Sequence, residues 1–318
     1  MSNILIEAKE ISKYFPVRKG ILGLRKMWLK AVDNISLKIR RGETLGLVGE
    51  SGSGKSTLGR ILAGILRPTK GTVKFRGIDL YNHEARKVRR RIQLIFQNPD
   101  SSLNPRMKVR DVLAEAVWAS GINEKDRIND KVIELLNYVG LNSEVAERYP
   151  HQLSGGMKQR IAIARALAVN PEFVIADEIV SSLDVSIKAQ ILNLMIDLQD
   201  RFNLTCLFIS HDLPVVGYVS DRIMVMYLGK IMEILPAKRI FEDALHPYTR
   251  ALLTSVPSLY LKRKEKVLLS GEISSPINLP PGCRLSARCP YANKRCKKIE
   301  PELKVVENDH FVACHLYS

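Results

Sequence analysis

The sequence predicts an α/β fold: an open, mainly parallel sheet covered on both faces by helices, followed by a small cysteine-rich appendage. Three observations carry this. Short continuous apolar runs at Thr44–Val48, Phe173–Ala176, Leu204–Ile209 and Ile223–Tyr227 read as strands buried on both faces. Stretches at helical spacing, Leu58–Leu66, Met157–Ala168 and Ile187–Leu198, alternate with them, as crossover helices do in a parallel sheet. Past Leu261 the texture changes to a basic run, Lys262-Arg263-Lys264, then to prolines and clustered cysteines.

In chain order, Ile4–Glu7 and Ala31–Ile39 alternate polar and apolar residues as half-buried strands do, with Arg41-Gly42 as a turn. Thr44–Val48 closes on glycine, and Leu58–Leu66 follows as a helix that Pro68 and Gly71 end before the strand Thr72–Phe75. Residues 104–149 read as mostly helical, with Val112, Leu113 and Val117, then Val132, Leu135, Leu136 and Val139, on apolar faces. The expected division is 1–260 for the main domain, with a helical portion over about 104–168, and 261–318 for the extension. No internal repeat is present, so the chain carries one such domain.

With 318 residues the chain is long enough to bury a core without disulfides. No apolar run approaches the roughly 18–20 residues of a membrane helix, and the start, Met1-Ser2-Asn3-Ile4, lacks a secretory signal; a cytoplasmic location with free thiols is expected. A net charge of +16 points to a polyanionic neighbour, whether nucleotide, nucleic acid or anionic lipid, without choosing among them.

The chemistry begins at Gly49-Glu50-Ser51-Gly52-Ser53-Gly54-Lys55-Ser56-Thr57, a complete G-x-x-x-x-G-K-S loop between a predicted strand and a predicted helix. Its glycines let backbone N–H groups turn inward on a phosphate, the helix start adds partial positive charge, Lys55 reaches the terminal phosphates and Ser56 ligates Mg²⁺. Asp177 and Glu178 follow a buried strand, where a parallel sheet delivers residues to a ligand crevice. Asp177 suits a Mg²⁺ site and Glu178 suits accepting a proton from water; the plain alternative is a pair of helix-capping carboxylates. Ser154-Gly155-Gly156 opens another helix as a second anion-binding start, more than one nucleotide requires of a single chain.

Leu153-Ser154-Gly155-Gly156-Met157-Lys158-Gln159 resembles the signature of the ATP-binding cassette family, and the likeness covers at least Ile4–Ile234. The resemblance implies a RecA-like parallel core, an antiparallel β subdomain and a helical subdomain, working as a homo- or heterodimer in which one chain's phosphate loop faces the partner's signature across ATP. It also implies Gln97 in the Q-loop, with a catalytic and Mg²⁺-binding role, Asp184 in the D-loop, His211 as the γ-phosphate switch, and an aromatic on adenine, Phe15 or in its place Tyr14. One departure is Ile179-Val180, where family members usually carry proline after the Asp-Glu pair, which leaves the approach to the D-loop in question.

Gln97-Asn98-Pro99 through Pro105-Arg106, His246-Pro247-Tyr248-Thr249, and Gly271-Glu272 with Pro281-Gly282-Cys283 look like the ATPase subunits of bacterial and archaeal dipeptide and oligopeptide importers. That likeness implies two transmembrane permease subunits docking near the Ser101–Arg106 stretch, an extracytoplasmic peptide-binding protein, peripheral attachment to the cytoplasmic face of the membrane, and no nucleic acid. The rival that the charge suits, a soluble cassette acting on nucleic acid, needs either a long coiled coil between Lys55 and Ser154 or a second cassette, and has neither. A non-catalytic partner is disfavoured by intact Glu178 and His211.

Cys283-x5-Cys289-x6-Cys296-x17-Cys314 supplies four thiols able to hold a four-iron four-sulfur cluster or a zinc ion. The spacing is looser than the tight pairs of structural zinc sites, and the importer likeness implies the iron–sulfur cluster, with zinc as the alternative. Either requires residues 297–313 to fold back, and loss of a cysteine is expected to leave ATP binding intact because the phosphate loop belongs to the other domain. Cys206, inside a predicted strand, reads as a buried apolar residue. Between Pro16 and Ala31, basic Arg18, Lys19, Arg25, Lys26 and Lys30 interleave with Ile21, Leu22, Leu24 and Trp28; this is either a lipid-facing segment or a strand connection with a solvated basic edge.

Overall fold

The computed structural model describes residues 3–19, 25–254, 267–271, 275–277 and 279–317. The expected domain boundary at 260/261, the basic run 262–264 and the centre of the 16–31 segment lie outside them. Two sheets organise the chain. The first is antiparallel, with β1 (Ile4–Lys19), β2 (Arg25–Arg40), β4 (Lys70–Phe75) and β5 (Ile78–Asp79) in the order β2-β1-β4-β5. The second holds β3 (Thr44–Val48), β6 (Ile92–Ile95), β7 (Phe173–Asp177), β8 (Thr205–Ser210), β9 (Arg222–Tyr227), β10 (Lys230–Pro236), β11 (Lys304–Glu307) and β12 (His310–Val312), in the order β11-β12-β10-β9-β3-β8-β7-β6. From β9 to β6 its pairings are parallel, and β3 sits between β8 and β9.

Period-two alternation explains why these strands read as unbroken apolar runs. Leu45 and Leu47 of β3, Phe173 and Ile175 of β7, and Leu207 and Ile209 of β8 face a core shared with the antiparallel sheet and α1 (Lys55–Leu62). Val48, Val174, Ala176, Cys206 and Phe208 face the opposite core, shared with α2 (Val109–Ala119), α3 (Lys125–Tyr138), α4 (Gly155–Leu167) and α5 (Val185–Phe202). Both faces are covered, so neither can carry a polar stripe. α6 (Leu213–Val219) packs so closely that a Cβ on Gly46 would lie 2.2 Å from Val216 Cγ1. Cys206 is buried in β8, where desolvation pushes its thiol up to about 12; it is a packing residue.

The C-terminal extension is joined to the core. α7 (Ile240–Asp243), α8 (Pro247–Thr254) and α9 (Lys294–Lys298) lead to the β11–β12 hairpin, and β12 pairs antiparallel with β10 through Glu233↔Val312 and Ile234↔Phe311. Glu233 is fully buried and accepts from the N–H groups of Leu245 and His246, while His310 Nε2 stands 2.8 Å from its Oε1. Arg284 of the extension pairs with Asp33 in the middle of β2.

Leu47 lies at the centre of β3 with no exposed surface. Leu47→Ala is expected to lower the free energy of unfolding by about 2–5 kcal/mol, the range for emptying a well-packed leucine site, read as a shifted denaturation midpoint.

Candidate functional site

The ends of four parallel strands deliver the site. After β3 the loop Gly49–Gly54 wraps into α1, with Gly54 at the helix start in a left-handed conformation, φ 106°. Two approaches are too close for side chains: a Cβ on Gly49 would lie 2.1 Å from Met226 O, and one on Gly54 would lie 2.0 Å from Ala31 O. Ser53 Oγ is buried without a hydrogen-bond partner, and Ser53 O accepts from Gly229 N–H at 2.9 Å. The loop is therefore a backbone cradle with an unspent donor, suited to an anion. Ser51, Gly52 and Thr57 lie on the same cradle and helix start.

Lys55 is 4% exposed, and its Nζ donates to Gly49 O at 2.7 Å and Glu50 O at 3.0 Å, with Glu178 Oε1 at 4.0 Å. Burial holds its ammonium below the usual lysine range, against the opposing pull of Glu178, Asp177 and Glu50. At the end of β7, Asp177 Oδ1 accepts from the Ser56 hydroxyl at 2.9 Å, and burial raises its carboxyl above the ordinary value while that hydrogen bond opposes the rise. This serine–carboxylate pair beside the cradle has the hard oxygen donors a Mg²⁺ ion takes.

Glu178 is the meeting point. Gln97, just after β6, donates from Nε2 to Glu178 Oε2 at 3.2 Å and to Ser181 Oγ at 3.2 Å. His211, just after β8, places Nδ1 3.4 Å from the same Oε2. Glu178 has φ 52°, unusual for a residue with a side chain, and is held there by its N–H on Ile209 O at 3.0 Å and by Ser181 N–H donating to its carbonyl at 3.1 Å. The turn that follows has no proline; instead Ile179 and Val180 are 1% and 2% exposed and anchor it by packing.

Ser154, Gly155 and Gly156 open α4, with Ser154 Oγ accepting from Met157 N–H at 3.3 Å. Gly156 is required by packing, since a Cβ there would meet Ile187 Cγ2 at 2.6 Å. Ser154 and Gly155 are exposed, as is Asp184 at the start of α5. Of the two candidate aromatics, Tyr14 donates its hydroxyl to Asp33 at 2.5 Å, while Phe15 is half-buried with Lys13 Nζ 5.3 Å from its ring centre.

The four C-terminal cysteines line one small cavity, together with His246, Leu285 and Tyr291. Cys283, Cys296 and Cys314 are buried, Cys283 N–H donates to Cys296 O at 2.8 Å, and the β11–β12 hairpin supplies the expected fold-back of residues 297–313. Burial pushes the Cys283 and Cys314 thiols up to about 11. The expected metal site is nevertheless not formed as such: among the described residues no group of three or more His, Cys, Asp or Glu side chains has metal-holding geometry. The four cysteines share the lining of that cavity.

Sequence reasoning missed Arg288 and Tyr248 as neighbours of the phosphate loop. Arg288 donates to both carboxylate oxygens of Glu50, at 2.9 and 3.2 Å, and the Tyr248 hydroxyl accepts from Glu50 N–H at 2.8 Å. Arg288 adjoins Cys289, so the extension and the phosphate loop are in direct contact through Arg288 and Glu50.

Comparisons with known proteins agree with this geometry. The family model described as ABC transporter matches residues 32–181, and that described as Oligopeptide/dipeptide transporter, C-terminal region, matches residues 232–296, ending at Cys296. The oligopeptide transport ATP-binding protein AppF of Bacillus subtilis is 50% identical over 321 residues, covering 99% of this chain and 98% of that protein. The dipeptide transport ATP-binding protein DppF of Escherichia coli is 48% identical over 304 residues, covering 94% and 91%. Among solved structures, the dimeric post-hydrolysis state of the ATP-binding cassette MJ0796 bound to ADP and Pi is 28% identical with a TM-score of 0.64, covering 74% of this chain and 99% of that one.

Gly54→Ala places a methyl group against Ala31 O and imposes a left-handed conformation on alanine. It is expected to weaken ATP binding by roughly 10–100-fold, the equivalent of such backbone strain, with circular dichroism unchanged; titration with a fluorescent ATP analogue measures it.

Proposed function

The chain belongs to the family of ATP-binding cassette transporters, as the ATP-binding and ATP-hydrolysing subunit of an oligopeptide or dipeptide importer, and we propose that Glu178 is its general base. The observation that carries this is the convergence of Lys55, Gln97, Asp177, Glu178 and His211 at the ends of adjacent parallel strands. In this reading the cradle N–H groups and Lys55 hold the terminal phosphates, and Phe15 stacks on adenine because the Tyr14 hydroxyl is committed to Asp33. Ser56, Gln97 and Asp177 would hold Mg²⁺, which when bound neutralises phosphate charge. Glu178 takes a proton from water as the water oxygen attacks the γ-phosphorus in line; the bond to the bridging oxygen breaks and ADP departs. His211 contacts the γ-phosphate, and charge neutralisation with positioning lowers the barrier.

Two copies close on two ATP molecules, each supplying Ser154, Gly155 and Gly156 to the other's nucleotide, with Asp184 at the same interface. The start of α4 supports this, since Ser154 and Gly155 are exposed on the chain that carries them. Among the described residues no helix is long and apolar enough to cross a membrane; in this reading the translocation path belongs to two permease subunits, with an extracytoplasmic peptide-binding protein presenting the cargo. A groove of about 680 Å³ beside Gln97, lined by apolar Ile65, Phe96 and Ala162 and by polar Arg90, Gln93 and Glu115, suits a docked permease segment. Ile65 and Phe96 are exposed there, and the 98–106 stretch is tied to α4 by Lys158–Asp100 and by Arg165 donating to Ser102 O. The subunit thus sits peripherally on the cytoplasmic face, with residues 1–260 as cassette and 261–318 as extension.

Glu178→Gln is expected to retain ATP binding, lower turnover by roughly 10²–10⁴-fold, and accumulate an ATP-bound dimer on size exclusion. Turnover close to wild type removes Glu178 from this role.

Cys283, Cys289, Cys296 and Cys314 line one small cavity that has no metal-holding geometry among the described residues, so a four-iron four-sulfur cluster, which when bound would staple the extension through its thiolates, rests on their donor chemistry alone. Anaerobically purified chain is expected to be brown, with absorbance near ~400 nm that bleaches on reduction. Stoichiometric zinc without iron would replace the cluster by zinc, and neither metal would remove it.

A further inference from the structure

Glu50 is held on every polar group it has. Its N–H donates to the Tyr248 hydroxyl at 2.8 Å, and its carbonyl accepts from Lys55 Nζ at 3.0 Å and from Ser53 N–H at 3.2 Å. Its carboxylate takes a two-pronged guanidinium, with Arg288 Nη1 at 2.9 Å from Oε2 and Nη2 at 3.2 Å from Oε1. Two of these grips come from the C-terminal part of the chain. Tyr248 is fully buried, and its ring lies 4.7 Å from that of Tyr227, whose hydroxyl stands 3.3 Å from Arg288 Nη1. Arg288 is itself anchored: its N–H and that of Cys289 both donate to Leu285 O, at 2.8 and 2.9 Å, and Leu285 is buried.

We propose that Arg288, with Tyr248, is a positioning residue that presets the phosphate loop for ATP, making the extension part of the nucleotide site. The inference rests on the reading of Gly49–Thr57 as that site. A glycine-rich loop loses much conformational freedom when its N–H groups converge on a phosphate. Fixing Glu50 beforehand removes part of that loss, which is preorganisation. The fork geometry matters because both carboxylate oxygens are engaged, so one rotamer of Glu50 is selected; a lysine point charge does not select it. Arg288 has no hydrogen bond or ion pair to Gln97, Glu178 or His211 among the described residues, so its effect falls on binding more than on the chemical step.

The experiment uses the full chain with ATP and Mg²⁺, measuring ATP affinity, KM, kcat and melting temperature for Arg288→Gln, Glu50→Gln, the double variant and Arg288→Lys. Each single variant is expected to weaken ATP affinity and raise KM by roughly 5–30-fold, with saturated kcat within about threefold of wild type. The double variant should be no worse than either single, since both remove the same pair, and Arg288→Lys should recover only part of the affinity. Should Arg288→Gln fail to fold, Glu50→Gln removes the pair from the other side without touching the extension. ATP affinity within roughly twofold of wild type in the folded single variants, even with a lowered melting temperature, overturns the proposal by making the contact merely structural. Wild-type binding that is abolished by Lys55→Ala establishes the nucleotide site independently, so that an unchanged affinity counts against the brace alone.

Discussion

The parallel ladder on either side of β3 is the constraint on which the rest depends. Because β6, β7, β8, β3 and β9 run the same way, their C-terminal ends share one edge, and every loop leaving that edge starts within reach of the others. Gly49 follows β3, Gln97 follows β6, Glu178 follows β7 and His211 follows β8. Residues as far apart in sequence as Gln97 and Glu178 become hydrogen-bond partners without any special loop having to carry them together. The two covered faces give that edge its rigidity, since the strands cannot shift register without moving apolar residues from one core to the other.

The same burial decided what was legible beforehand. β3 is found within the bounds its apolar run indicates, and β7, β8 and β9 within a residue, because strands covered on both sides leave an unbroken signature. β6 has only four residues and merges with the loop carrying Gln97, while β10 carries Glu233, an acidic residue that reads as surface and lies fully buried. The convergence of Lys55, Ser56, Asp177, Glu178 and His211 was legible from motif order. The Arg288–Glu50 and Arg284–Asp33 pairs were not, being 238 and 251 residues apart with no local pattern to announce them. Likewise the cysteine spacing required a fold-back but held no information on which sheet edge would provide it.

Glu178 shows how local strain and global packing divide the work. A left-handed conformation for a residue with a Cβ costs roughly 1–2 kcal/mol, and it persists because its backbone is bonded on both sides and Ile179 and Val180 are packed into the core. That backbone aims a carboxylate back toward Lys55 while the chain moves off to α5.

The pairing of β12 with β10 also bears on biosynthesis. Until residues 310–312 have left the ribosome, β10 has one unpaired edge and Glu233 lacks its His310 partner, although every motif of the nucleotide site has already been made. The nascent chain therefore passes through an interval in which a nearly finished cassette presents an open strand to its neighbours, the kind of surface through which incomplete chains associate. Among the described strands β12 is the last in sequence, so the free edge of β10 is closed only after the other strands of its sheet have been made, which leaves that edge as the physical difference between the chain before and after β12 docks.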